Sequence, residues 1–207
     1  MVILVCEAPD FGFRMLVKNK YIRYTAHMII GPKRLLELVK EIKLVEGLSA
    51  RELTNPEGAG FDLRVGELYE ISGGTAFLGE TERETPDIKK IIEYRKGKKT
   101  AYTIEPGKYL LMTTLEKVNI PQDITVNFKP RTTTFRSGLV VRSGNVAPGY
   151  CGKLTFAVKN VGPLPVTIEM GARIIHAQFY WVDGGGSMYR GQWQGGRVTT
   201  KQREQQV

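Results

Sequence analysis

At 207 residues with 42% apolar content, the chain is long enough for one well-packed domain and short for two. Its formal charge of +9 indicates an anionic partner (nucleic acid, a membrane surface or a small polyphosphate), with a solvated basic surface as the plain alternative. No apolar run approaches the roughly 20 residues that a membrane span needs, and no signal peptide with a cleavage site is recognisable. We therefore expect a cytoplasmic protein with no membrane partner.

The metal-ligating residue types do not form a recognisable zinc site. Two cysteines and two histidines are present, Cys6, Cys151, His27 and His176, and they make no set with ligand spacing. The His-x-Glu and Pro-Cys-x-x-Cys motifs of zinc nucleoside deaminases are also missing. If this protein deaminates a base, we expect it to do so without zinc and without metal-activated water.

The first part of the chain is predicted to contain one amphipathic helix. Residues 1–30 mix apolar and basic side chains and are interpreted as one or two strands. Apolar residues then recur at helical spacing: Leu35, Leu38, Val39, Ile42 and Val45. Pro32 suits the start of a helix and Gly47 its end. The pattern predicts a helix at about residues 32–46, within an N-terminal extension of residues 1–57.

Residues 58–183 have the pattern of short strands and turns. The chain contains 23 glycines and 10 prolines spread along its length, which is typical of many turns. Alternation is clearest where Leu154, Phe156 and Val158 share one face of a strand. Pro106-Gly107 is a turn dipeptide between two further strands. A mainly β domain is therefore predicted over this range.

A charge-rich segment at residues 79–100 interrupts the strand pattern and is interpreted as an exposed hairpin or insertion. Its basic run from Lys89 to Lys99, with Tyr94 inside it, is the strongest nucleic-acid candidate on the chain. Charge clusters of this kind are usually just solvated, and no nucleic-acid-binding motif accompanies this one. Nucleic acid is therefore not the expected partner.

Two arginines surround three consecutive hydroxyls in the stretch Arg131-Thr-Thr-Thr-Phe-Arg136. Guanidinium groups suit bidentate contacts to phosphate oxygens, and the intervening threonines supply short donors that can also position a water. This stretch is the candidate phosphate-binding segment.

The C-terminal residues 184–207 are predicted to be a tail. Gly184-Gly185-Gly186 begins it, and the stretch from Tyr189 to Gly196 is rich in aromatic, glutamine and glycine residues. Residues 201–207 are expected to be disordered.

Six stretches between residues 58 and 197 together resemble the dCTP deaminase branch of the dUTPase-like superfamily. The pattern Arg-Ser-Ser-x-x-Arg-x-Gly-Leu is matched by Arg131, Arg136, Gly138 and Leu139, with Thr132 and Thr133 at the serines. The other matches, in chain order, are Asp62, Leu63, Arg64 and Gly66; Pro106, Gly107, Leu111, Thr114, Glu116 and Pro121; Gly149, Tyr150 and Gly152; Leu154, Thr155 and Asn160; Tyr189, Gln194 and Gly195. We expect Asp62 and Arg64 to hold the fold or an interface.

The resemblance implies a distorted antiparallel jelly-roll, the dUTPase-like β-clip fold, here with one N-terminal helix. It also implies a homotrimer with sites at subunit interfaces and a C-terminal tail that closes over the site. The implied ligand is a deoxypyrimidine nucleoside triphosphate, dCTP or dUTP, with Mg²⁺ carried on the triphosphate rather than bound by the protein. The implied reaction is metal-free deamination.

The resemblance assigns catalytic positions to Thr132, Arg136, Ala147 and Ala157. Ala147 stands where the family has an aspartate, and Ala157 where it has the glutamate that handles water and protons. A methyl group can neither accept nor deliver a proton. The residues implied in nucleotide binding are Arg131, Thr132, Thr133, Arg136, Tyr150, Tyr189 and Gln194. Gln192 replaces a family lysine, which removes one phosphate-binding charge.

Three hypotheses follow for the function. The protein is a deoxynucleotide enzyme in which Glu116, Glu169, His176 or a residue of a neighbouring subunit replaces the missing carboxylate. Alternatively, it is a catalytically inactive nucleotide-binding relative with a sensor or regulatory role. The third hypothesis is a nucleic-acid-binding or protein-binding trimer that reuses the basic surface.

Overall fold

The computed structural model describes residues 29–206 and, within residues 1–28, the backbone of three strands; His27 and Val207 lie outside the described residues. The described helices are α1 (Pro32–Ile42), α2 (Ala50–Thr54) and α3 (Thr132–Arg136). The strands up to residue 93 are β1 (Leu4–Cys6), β2 (Phe13–Val17), β3 (Lys20–Tyr24), β4 (Val45–Glu46), β5 (Phe61–Gly73), β6 (Phe77–Leu78), β7 (Glu82–Glu84) and β8 (Asp87–Glu93). The later strands are β9 (Ala101–Ile104), β10 (Tyr109–Asn119), β11 (Ile124–Pro130), β12 (Leu139–Arg142), β13 (Cys151–Asn160), β14 (Val166–Glu169), β15 (Arg173–Trp181) and β16 (Glu204–Gln205).

An eight-stranded antiparallel sheet forms the body of the protein. Its strand order is β11-β15-β5-β10-β13-β12, with β8 added to β5 and β4 added to β10. The sheet curls until its two edge strands meet, and an antiparallel bridge between Val126 and Val146 closes one end of the seam between them. The predicted mainly β, dUTPase-like architecture is confirmed, in the form of a nearly closed barrel.

Strand β13 shows how the sequence pattern produces the two faces of the sheet. Leu154, Phe156 and Val158 are buried in the core, as their alternation predicts. Thr155 and Ala157 point to the opposite face and are half-buried. In register, Thr155 lies beside Thr113 of β10, and Ala157 lies between Leu111 of β10 and Arg142 of β12. This opposite face, which we call the outer face, positions the candidate site.

The predicted helix at residues 32–46 is four residues too long, because α1 ends at Ile42. Lys43 adopts a left-handed conformation with φ of 54°, and its backbone N–H donates to the carbonyl of Leu38. The chain then turns so that Val45 can pair with Val118 of β10. The helical spacing of apolar residues continues as far as Val45, so the sequence pattern extends the predicted helix into this strand.

The prediction of a single helix is also wrong, since the described residues contain three. Helix α2 begins at Ser49, whose hydroxyl accepts a hydrogen bond from the backbone N–H of Glu52. Helix α3 is a five-residue turn of helix that connects β11 to β12 across the seam. Both are too short to produce a helical period in the sequence. None of the described helices is long and apolar enough to cross a membrane.

Three further expectations are corrected by the strand pairing. Residues 1–30 contain three paired strands, β1–β3, rather than one or two. The charge-rich segment is not a free insertion, because β8 pairs with β5 in the main sheet. Residues 204–206 are ordered, because β16 pairs with β7 and the backbone N–H of Gln206 donates to the carbonyl of Thr81. Long-range pairing of this kind leaves little local signal.

Candidate functional site

A cavity of about 490 Å³ lies between the outer face of the main sheet and the C-terminal tail. We call it the tail cavity. The sheet contributes Ile71, Ile88, Tyr109, Leu111 and Thr155; the β12–β13 connection contributes residues 143–147 and Tyr150; the tail contributes Tyr189, Trp193 and residues 197–199. The walls are therefore mainly aliphatic and aromatic, as in most small-molecule sites.

The tail is held against the start of β13 by backbone and side-chain hydrogen bonds. The side-chain amide of Gln194 accepts from the backbone N–H of Cys151 at 3.1 Å and donates to the carbonyl of Gly149 at 3.0 Å. The rings of Tyr150 and Tyr189 pack edge to face with centroids 5.3 Å apart. The structure thus brings together three predicted site residues, Tyr150, Tyr189 and Gln194. The side-chain amide of Gln194 holds the tail in place.

Gly152 permits the close approach of the tail. A Cβ atom at this position would lie 2.4 Å from the backbone nitrogen of Gly196, and the φ of 149° at Gly152 is itself unfavourable for other residues. The backbone of the tail can therefore lie directly on β13 only because residue 152 is a glycine.

Replacing Gln194 with alanine is expected to loosen the tail, because two hydrogen bonds to the β12–β13 connection are lost. Hydrogen exchange of the backbone amides between residues 189 and 199 should become faster by about one order of magnitude. Gln192→Ala is the matched control, since the amide of Gln192 makes only a 3.4 Å hydrogen bond to Glu204. Equal exchange in the two variants would show that Gln194 does not hold the tail.

The end of the tail is clamped to the β6–β7 hairpin, which the sequence did not predict. Thr85 and Thr200 exchange two hydrogen bonds of 2.9 Å, each hydroxyl accepting from the other residue's backbone N–H. Arg197 forms an ion pair with Glu204, and the Arg203 guanidinium lies 4.0 Å from the ring centroid of Phe77. These contacts fix the roof of the tail cavity.

Among the described residues, the ionisable side chains that line the tail cavity are three tyrosines and Arg197. No carboxylate or imidazole lines it among the described residues, and the charge of Arg197 is neutralised by Glu204. Burial raises the pKa of Tyr150 to about 12, so its phenol stays neutral at physiological pH and donates to the carbonyl of Lys153. Ala147 lines the cavity and presents only a methyl group.

Ala157, the second degenerate position, lies on the same outer face but does not line the cavity itself. Its cross-strand neighbour Leu111 and its same-face neighbour Thr155 both do. A longer side chain at position 157 would therefore begin next to Leu111 and Thr155, at the edge of the tail cavity.

The candidate phosphate-binding segment lies apart from the tail cavity. The Arg131 guanidinium forms an ion pair with the buried carboxylate of Asp62, so it serves the fold. Thr132, Thr133 and Arg136 are exposed on α3 and do not line the tail cavity. Within one described chain, the predicted site residues therefore form two groups, one at the cavity and one on α3.

Asp62 and Arg64 hold the fold, as predicted. Asp62 is 2% exposed and pairs with Arg131 and with Arg173, the latter at 3.2 Å. The Arg64 side chain donates to Glu116 at 2.6 Å. Since Asp62 and Arg131 are 69 positions apart in the sequence, no local pattern signals that they pair.

None of the three residues considered as a replacement carboxylate or base reaches the tail cavity. Glu116 is fully buried and bound to Arg64, and burial raises its pKa. Glu169 is exposed at the end of β14. His176 lies on β15, with Nδ1 2.9 Å from Asp62 Oδ1. Glu116 and His176 contact buried or half-buried residues of the fold, and Glu169 faces solvent. None of the three lines the tail cavity.

Acid is expected to destabilise the fold through His176. Burial lowers the pKa of His176 from its ordinary value of 6.5, and nearby Arg131 lowers it further. Because the unfolded chain then binds the proton first, stability present above about pH 6.5 is lost as the pH falls through the folded pKa. The melting temperature of the wild type should fall between about pH 7.5 and 5.5 by more than that of His176→Asn. An equal fall in both proteins would contradict this.

Comparison with known proteins agrees with the motifs and the fold. A family model described as dCTP deaminase-like matches residues 29–181. The chain belongs to the dCTP deaminase-like family. Among curated relatives, the dUMP-forming dCTP deaminase of Dictyoglomus turgidum is 31% identical over 157 residues, covering 74% of this chain and 80% of that protein. The dCTP deaminase of Pyrococcus furiosus is 32% identical over 157 residues, covering 75% and 86%.

Another curated relative is named for a different reaction. A probable deoxyuridine 5'-triphosphate nucleotidohydrolase of Methanothermobacter thermautotrophicus is 30% identical over 167 residues, covering 81% of this chain and 99% of that protein. Among solved structures, the 2'-deoxycytidine 5'-triphosphate deaminase of Agrobacterium tumefaciens superposes with a TM-score of 0.58 at 14% identity. That match covers 75% of this chain and 48% of the other, and it supports the shared fold.

Proposed function

We propose that this member of the dCTP deaminase-like family binds a deoxypyrimidine nucleoside triphosphate, dCTP or dUTP, and does not deaminate it. The observation that carries the proposal is the tail cavity, which is lined by aromatic and aliphatic side chains and by no carboxylate or imidazole of the described residues. A cavity of about 490 Å³ has the size of a small-molecule site. Tyrosine and tryptophan rings suit a flat base and a sugar.

The names of the relatives support the choice of ligand. Two of them are dCTP deaminases and a third is a probable deoxyuridine triphosphate nucleotidohydrolase. These names share a deoxypyrimidine triphosphate, which is therefore the ligand class that we assign to the tail cavity.

The absence of acid–base groups from the cavity supports the negative half of the proposal. A positioned general acid or base usually contributes about 10²- to 10⁴-fold to a reaction rate. Alanines occupy both positions at which the family resemblance implies a carboxylate, and Ala147 directly lines the cavity. A bound nucleotide would therefore be retained unchanged, which suits a sensor or a regulatory subunit.

The proposal includes a homotrimer with sites at the subunit interfaces. In such an assembly, the exposed Thr132, Thr133 and Arg136 of one chain would be free to approach a nucleotide held by another. Mg²⁺ would enter on the phosphate oxygens of the ligand, which are the hard donors that it prefers. The protein would take up its ligand from the deoxynucleotide pool of the cytoplasm.

Calorimetric titration of the full chain with dCTP, dUTP, dTTP and ATP, each with Mg²⁺, tests the binding half of the proposal. We expect dCTP or dUTP to bind below millimolar concentration and ATP to bind far more weakly, because the purine ring is larger than the pyrimidine. No binding of any nucleotide at millimolar concentration would overturn it. Samples of the dCTP titration incubated for hours should contain no dUTP, dUMP or ammonia above the buffer control.

A further inference from the structure

The basic run from Lys89 to Lys99 has no role in the proposed function, and the structure divides it into two parts. The first part lies on β8, an edge strand that pairs, among the described strands, with β5 alone. Lys90 is bound there by Glu67 at 3.3 Å and by Glu93 at 2.8 Å. Lysines on an edge strand also discourage pairing with a second chain. The fold therefore explains this part of the run.

The second part of the run is the turn Arg-Lys-Gly-Lys-Lys at residues 95–99, which we call the basic loop. All five residues are exposed. The backbone N–H of Lys98 donates to the carbonyl of Arg95 at 3.0 Å, and Gly97 has a φ of 78°. This is the geometry of a tight turn with glycine at its third position. The basic loop is therefore a defined turn.

Both ends of the basic loop are attached to the body of the protein. The backbone N–H of Tyr94 donates to the carbonyl of Gly66 at 2.7 Å, and the carbonyl of Thr100 accepts from the backbone N–H of Met170 at 2.8 Å. Gly171 leaves room for the ring of Tyr94, since a Cβ atom at position 171 would lie 2.9 Å from that ring. The loop thus presents its side chains from a fixed base.

The three lysines of the basic loop carry uncompensated charge. Lys96, Lys98 and Lys99 are exposed, and none of them forms an ion pair within the described part of the chain. Their Cα atoms are at most about 11 Å apart, even if the chain between them were fully extended. Glu169 lies opposite Ala101 in the register of β14 and β9, and it does not pair with these lysines. Like charges this close create a positive potential that attracts an anion.

Arg95 adds a further cation to the basic loop. Its guanidinium lies 3.2 Å from Glu93, in a pair whose side chains are 62% and 37% exposed. An exposed ion pair of this kind contributes only about 0–1 kcal/mol. A phosphate group can therefore compete for this guanidinium, which matches phosphate oxygens in geometry.

The composition of the basic loop favours a nucleic acid over a membrane as its partner. Residues 95–99 offer no apolar side chain that could insert into a bilayer. The ring of the neighbouring Tyr94 packs against Gly171, so it does not stack on an unpaired base. A duplex carries one negative charge for about every 1.7 Å of its axis. Three cations within about 11 Å therefore meet several phosphates of a duplex at once.

We propose that the basic loop binds the phosphodiester backbone of duplex nucleic acid without regard to base sequence, through Lys96, Lys98 and Lys99. This second function is separate from nucleotide binding, because no residue of the loop lines the tail cavity. Ile88, which does line the cavity, lies near the other end of β8, about 16 Å along the strand from Glu93. A duplex and a nucleotide can therefore be bound at the same time.

The test measures the binding of a short fluorescent DNA duplex to the full chain by anisotropy, over a range of salt concentrations. The loop variant changes three lysines to glutamine: Lys96→Gln, Lys98→Gln and Lys99→Gln. We expect the wild type to bind with a dissociation constant on the order of 10⁻⁵ M at low salt, and the loop variant to bind at least about tenfold more weakly. The slope of log affinity against log salt should fall by about one unit for each lysine removed.

The matched control removes the same amount of charge from the exposed surface at α1: Lys33→Gln, Lys40→Gln and Lys43→Gln. We expect this control to bind the duplex as the wild type does. Equal weakening in the control and the loop variant would overturn the proposal, because net charge alone would then explain binding. Wild-type affinity in the loop variant, or no binding of the duplex by the wild type, would overturn it too.

Vesicles of phosphatidylcholine and phosphatidylserine test the choice of partner. We expect the wild type to bind them more weakly than it binds the duplex, because the basic loop has no apolar side chain to insert. Vesicle binding that is tighter than duplex binding, and that the loop variant loses, would overturn the assignment to nucleic acid. Equal melting temperatures of the three proteins exclude misfolding.

Discussion

Replacing Glu116 with alanine is expected to lower the free energy of unfolding by about 3–5 kcal/mol, the usual cost of leaving one partner of a buried ion pair alone. Glu116 is fully buried, and its carboxylate accepts from the Arg64 side chain at 2.6 Å and from the Arg64 backbone N–H at 2.9 Å. The variant would leave both donors without their acceptor. Denaturant unfolding with a common m-value measures the loss.

The control for this prediction is Glu169→Ala, which removes an exposed carboxylate and should change stability by less than about 0.5 kcal/mol. Arg64→Ala should also destabilise the protein, and the double variant should cost less than the sum of the two single ones. A Glu116→Ala protein of wild-type stability would show that this carboxylate is not structural. The hypothesis that Glu116 replaces the missing catalytic carboxylate would then have to be reopened.

Introducing a glutamate at position 157 is expected to raise the rate of dCTP deamination by about 10²- to 10⁴-fold, the typical contribution of a positioned acid–base group. The position lies on the outer face beside Thr155 and Leu111, which line the tail cavity. A glutamate there would place a carboxylate at the edge of a site that otherwise has none among the described residues. Release of ammonia from dCTP at micromolar protein measures the rate.

Ala157→Gln is the matched control for this experiment, since glutamine has the shape of glutamate and cannot take or deliver the proton. We expect it to stay at the buffer rate together with the wild type. A wild-type rate already well above buffer would contradict the claim that the site lacks acid–base machinery. Equal gains in the Glu and Gln variants would show that side-chain volume, and not proton transfer, is responsible.

The sequence predicted the elements whose cause is local. The alternation of Leu154, Phe156 and Val158 predicts both the strand and its buried face, because one side of β13 packs in the core. The start of α1 at Pro32 was likewise predicted. The end of α1 at Ile42 was not predicted, because the left-handed turn at Lys43 depends on the pairing of Val45 with Val118, which lies far along the chain.

The same distinction between local and long-range causes divides the predicted site residues into two groups. Tyr150 and Tyr189 both line the tail cavity, and Gln194 lies beside them, hydrogen-bonded to Gly149, since the motifs that carry the three residues adjoin in the fold. The sequence predicts that Arg131 binds phosphate, because the threonines and Arg136 that follow it suit phosphate binding. Its partner Asp62 is brought to it only by the pairing of β15 with β5 and with β11. Spatial partners of this kind follow from topology and not from spacing.

The tail cavity was also invisible to sequence reasoning. Its roof depends on the clamp between the tail and the β6–β7 hairpin, which joins Thr85 to Thr200. This contact corresponds to no motif, since it joins elements that are distant in the chain.

The fluorescence of Trp193 tests most directly whether the tail cavity is the nucleotide site. The chain has two tryptophans, of which Trp193 lines the tail cavity and Trp181 does not. A Trp181→Phe protein therefore reports on the cavity alone. The account predicts that dCTP or dUTP with Mg²⁺ changes its emission saturably at submillimolar concentration, while ATP does not. Emission that stays constant up to millimolar dCTP and dUTP, in a protein that is folded, would contradict it.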